Sequence, residues 1–88
     1  MDRNAVEVTF AGVTLRCGQD ITDAAGTFRT WVHVGRVKNA SFSIMSMPDG
    51  TWNVSVTDPH GDVLESIYGL VSPDDHAEAM FVRYAEWA

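Results

Sequence analysis

The residues best placed to do chemistry are Asp58-Pro59-His60-Gly61-Asp62, where two carboxylates flank an imidazole in one short run. Such a set could hold a metal ion loosely or move a proton. Asp, Pro and Gly are also ordinary turn formers, and turn chemistry accounts for every residue of the run. His33, His60 and His76 are scattered, and no two share the spacing that a helical or strand metal site needs. Cys17, the one cysteine, ends an expected strand on its apolar face, where a thiol behaves as a small hydrophobe. No serine lies in a Gly-x-Ser-x-Gly elbow, and no glycine-rich loop could cradle phosphate. These residues therefore read as a protein that is not an enzyme, with no catalytic residue, no metal and no cofactor.

Binding chemistry has two candidates. The run 28–38 mixes Phe28 and Trp31 with Arg29, Arg36 and Lys38. Cations interleaved with aromatics resemble a single-strand nucleic-acid or small-ligand surface, and on a strand Arg29, Trp31 and His33 would share a face. The competing reading is an edge strand whose cations pair with acids of the same chain. A net charge of −6 favours the latter, because a nucleic-acid-binding domain is ordinarily basic.

The second candidate is the acid. Residues 1–44 carry five basic and four acidic side chains; residues 45–88 carry one basic and eight acidic. Solubility explains each acid locally, but it does not require the absence of any base between Lys38 and Arg83. An acidic surface that docks on a basic protein would account for it, and would steer association. The residues that would carry such a surface are Asp58, Asp62, Asp74, Asp75, Glu78 and Glu86.

Those side chains need elements to hold them. Eighty-eight residues, 45% hydrophobic, make one domain, enough to bury roughly 60–65% of the unfolded surface. Val6, Val8 and Phe10 alternate with polar residues, as do Val13, Leu15 and Cys17. A two-residue turn at Ala11-Gly12 puts all six on one face and pairs Glu7 with Arg16 on the other. Residues 18–27 read as a loop and 28–34 as a strand, with Gly35 bending or ending it. Pro48-Asp49-Gly50 predicts a type I turn with a glycine bulge. That turn pairs Ser46 with Trp52, Ile44 with Val54 and Phe42 with Val56. Met45 and Met47 fall on the opposite face, either covered by a second layer or free as an adaptable binding surface. Residues 63–71 are apolar on both alternations, as in a strand covered on both sides.

The chain then enters a helix, with Ser72 as N-cap, Pro73 first, and Asp74 and Asp75 at the positive end of the dipole. Ala77, Met80, Phe81, Tyr84, Ala85 and Ala88 line its apolar stripe, flanked by Trp87. The expected fold is α+β: an antiparallel, mostly meandering sheet of about five strands packed against one C-terminal helix.

The first residues lack the apolar core of a signal peptide, and no apolar run reaches the ~18 residues of a membrane span. A lone cysteine fits a reducing, cytoplasmic setting, and the glycosylation triplets at Asn39 and Asn53 read as chance.

In size, acidity, single-domain build and lack of an active-site motif, the chain resembles small phage-encoded inhibitors, anti-CRISPR proteins among them. The resemblance implies stoichiometric binding to a host defence complex, through a surface that mimics the charge of nucleic acid. It carries over no residue of its own. Homodimerisation through Met45, Met47 or a strand edge is a further option.

Overall fold

The computed structural model describes residues 1–18, 20–33 and 40–87. Seven strands form one antiparallel sheet: β1 (Glu7–Phe10), β2 (Val13–Cys17), β3 (Ile21–Asp23), β4 (Gly26–His33), β5 (Ser41–Ser46), β6 (Trp52–Thr57) and β7 (Val63–Leu70). One helix, α1 (Asp74–Tyr84), and a 3-10 turn (Ala85–Trp87) follow. The order across the sheet is β1-β2-β4-β5-β6-β7, with β3 paired to β4. This is the expected α+β meander with one C-terminal helix, but with seven strands rather than about five. The segments read as strands from the sequence number six, and the seventh lies in residues 18–27, expected as a loop. There β3 lies end to end with β2 along one edge of β4, pairing Ile21 with Phe28 where β2 pairs Cys17 with Trp31.

Both hairpins take the register their turns dictate. Glu7 pairs with Arg16, Val8 with Leu15 and Phe10 with Val13, and Arg16 Nε donates to Glu7 Oε2 at 3.1 Å. Ala11 and Gly12 both have positive φ, 51° and 78°, the sign pattern of a type I′ turn, whose twist matches that of the strands. Phe42 pairs with Val56, Ile44 with Val54 and Ser46 with Trp52. Gly50, at φ 89°, closes that turn while Met47 N–H donates to Thr51 O at 2.8 Å.

The helix covers the face of Phe42, Ile44, Trp52, Val54 and Val56, burying Ala77, Met80 and Phe81 against them. The Phe81 ring stands edge-on to Phe42 (5.1 Å) and to Phe10 (6.4 Å). Phe10 and Phe42 lie three strands apart, about 14 Å on a flat sheet, so the sheet curls around this one ring. Each such contact contributes roughly 0.5–1.5 kcal/mol beyond its burial. Met45 and Met47 lie on the other face, half-buried, with no helix over them.

Two details differ from expectation. Ser72 does not cap the helix: the cap position is Pro73, with no side-chain cap hydrogen bond. The Pro73 ring is buried in the core, and its carbonyl accepts Ala77 N–H at 2.7 Å. The ring's preset φ and its burial start the helix, leaving Ser72 exposed. The second detail is β7, which is not covered on both sides. It is an edge strand, and Val63, Leu64 and Tyr68 are exposed. Two register shifts against β6 exchange the row that faces the core, which is why both alternations are apolar. Val34, Gly35, Arg36, Lys38, Asn39, Ala88 and the Trp87 side chain lie outside the described residues.

Candidate functional site

The run that opened the chemical search is a turn built on its own aspartate. Asp58 Oδ1 accepts the backbone N–H of His60 and of Asp62, both at 2.9 Å. Asp58 N–H donates to Asp62 O, and Gly61 takes φ 91°. The carboxylate most central to any acid/base site is thus occupied with backbone, and His60 points into solvent. Among the described residues, no three His, Cys, Asp or Glu side chains gather in a way that could hold a metal ion. Cys17 is half-buried at the rim of the core.

On β4, Arg29, Trp31 and His33 do share a face, but it is the covered one. Trp31 is 0% exposed; its Nε1–H donates to Ala5 O at 2.8 Å and its ring lies 5.6 Å from Trp52. It cannot stack on a base without leaving the core. Arg29 donates from Nε and Nη2 to Asp20, so this cation pairs within the chain. Of the remaining residues proposed for this surface, Arg36 and Lys38 lie outside the described residues.

The six acids divide. Strand directions place the Asp58–Asp62 turn at the end of the sheet where the helix finishes, since Arg83 and Tyr84 both donate to Glu65 in the first half of β7. Asp74 and Asp75 begin the helix at the opposite end, some 16 Å away along its axis. Three of the six are held internally. Asp58 closes its turn, Asp74 Oδ2 accepts the Met1 ammonium at 2.9 Å, and Glu78 Oε2 accepts Ala11 N–H at 2.9 Å. Asp62, Asp75 and Glu86 are exposed, and their carboxylates make no hydrogen bond or ion pair among the described residues.

Asp75, Ala79 and Val82 follow one another at helical spacings of four and three on the outer stripe of the helix, and Glu86 follows in the 3-10 turn that extends it. All four are exposed, Val82 at 63%. Two unpaired carboxylates bracket an apolar centre, the arrangement of a small docking surface with a charged rim. Sequence reading selected the acids but missed Ala79 and Val82; their spacing from Asp75 was the available signal. Among the described residues, no base pairs with this stripe. Arg83, the one base of the second half, is committed to Glu65, whose carboxyl it holds below the ordinary range through its hydrogen bonds, against an opposing desolvation. Arg16 and Arg29 are paired likewise.

Compared with protein-family models, curated proteins and solved structures, the chain matches none.

Proposed function

We propose that the protein is a non-catalytic binding protein that docks the outer stripe of its helix on a basic surface of a protein partner. Such a surface is typical of nucleic-acid-binding proteins, and a stoichiometric inhibitor of a host defence complex, of the anti-CRISPR kind, would act this way. The observation that carries the reading is the state of the charges. Arg16, Arg29 and Arg83 each pair with an acid of the chain, while the carboxylates of Asp75 and Glu86 flank exposed Val82 without a partner among the described residues. A fixed helix holds them, so little ordering cost falls on association. Asp62, at the same end as Glu86, extends the acidic field.

The test is Asp75→Lys with Glu86→Lys, measured against the partner recovered by affinity capture from host lysate. Affinity should fall at least about tenfold, and the salt dependence of the association rate should flatten. Asp74 and Glu78 are left intact because their reversal would break internal bonds. Unchanged affinity at low salt would overturn the reading.

A further inference from the structure

At the end of the sheet where the helix begins, on the core-facing side and next to the N-terminal segment, a recess of about 270 Å³ is lined by Arg3, Asn4, Asp20, Thr27, Arg29 and Ser46. Every lining residue is polar, in a chain whose described bases otherwise stand apart. The Arg29 guanidinium is tied to the N-terminal segment: Nη1 donates to the backbone carbonyl of Arg3 at 2.8 Å. Asp20 takes Arg29 alone, through Nε and Nη2. Arg3 makes no salt bridge among the described residues; Asp49, whose carboxyl pKa is lowered chiefly by hydrogen bonds from Thr51, also feels its charge. One of its N–H groups goes to Met47 O at 2.8 Å, and its plane sits 5.8 Å over the Trp52 ring. Four Arg3 donors and two Arg29 donors are left over.

Ser46 adds an independent sign. It occupies the core-facing row of β5, where Phe42 and Ile44 are apolar, and is only 3% exposed. Its hydroxyl has no hydrogen-bond partner among the described residues and borders the recess. The hydroxyl is open to the recess, where a ligand or water can bind it. The side-chain amide of Asn4 is likewise without a partner. Donors thus converge from the N-terminal segment, β4 and β5, around a net charge of plus one.

We propose that this recess binds a small phosphate, free or as a monoester, held by Arg3 and Arg29 and by the Ser46 hydroxyl. A planar carboxylate would saturate one guanidinium fork; donors arriving from three directions suit a tetrahedral oxyanion. Asp20 opposes the anion and tunes its affinity downward.

The experiment is a titration of the full chain with inorganic phosphate at constant ionic strength, followed by NMR at the arginine Nε–H groups. Acetate and a small phosphomonoester serve as parallel arms. Saturable binding with a Kd on the order of 1 mM is expected. Arg3→Gln, at an exposed position, should weaken it at least about tenfold, and Asp20→Asn should tighten it several-fold. A preference for the ester would identify a phosphorylated metabolite as the occupant, and equal affinity free phosphate. Acetate binding as tightly as phosphate, an Arg3→Gln variant that binds like the parent, or no saturable response would each overturn the proposal.

Discussion

Ala11 stands at φ 51°, in the left-handed region that costs a non-glycine residue roughly 1–2 kcal/mol. The turn cannot avoid this, because a two-residue loop matched to the strand twist needs positive φ at both centres. Asparagine tolerates that region through local hydrogen bonding, so Ala11→Asn should recover about 0.5–1 kcal/mol. For a domain of this size that corresponds to a rise in Tm of about 2–8 °C. Ala11→Gly removes the strain too, but loosens the unfolded chain by a similar 0.4–1 kcal/mol or so, and should change little. Ala11→Val places a β-branched side chain where it fits worst, and should lower Tm. The bond from Ala11 N–H to Glu78 involves only backbone on the turn side and is retained throughout. Thermal unfolding followed by circular dichroism ranks the four proteins. Ala11→Val melting at or above the parent, or Ala11→Asn below it, would refute the turn assignment.

Gly26→Ala should cost at least about 2 kcal/mol in urea unfolding, since its φ is 127° and an added Cβ would lie 2.8 Å from Pro48 Cβ. The Glu65–Arg83 pair gives a pH signature. Arg83's hydrogen bonds lower the Glu65 pKa from its ordinary 4.5, so the folded state binds this proton less readily than the unfolded state. The stabilisation is therefore fully present above about 4.5 and lost as pH falls through the lower folded value. Glu65→Gln should be less stable than the parent near neutrality, by about 0.2–1 kcal/mol for so exposed a pair. That gap in Tm should close on acidification, and a gap that widens would contradict the assignment.

Much of the sheet was legible in the chain because hairpin register is a local matter. Turn length and alternation together permit one pairing, and Phe10 with Val13 and Ile44 with Val54 follow from residues a few positions apart. The strand β3 was not legible: Ile21–Asp23 is exposed throughout, so no burial pattern marks it. The candidate site was half legible. Acid positions are a property of sequence, but their accessibility is not, because Met1 and Ala11, which engage Asp74 and Glu78, lie 73 and 67 positions away.

By itself the sequence determined an acidic α+β domain, its two tight hairpins, the apolar stripe of its helix and the imbalance of charge between its halves. Each of these rests on interactions between near neighbours or on composition. The tertiary structure decided which sheet face the helix covers, and with it that Trp31 is core rather than surface. It also decided that the acids separate to opposite ends of the sheet, because successive strands reverse direction and the helix spans the distance between them. Finally, it brought Arg3, Arg29 and Ser46 around one recess. Only the fold closes such distances along the chain, and no local pattern of residues records them.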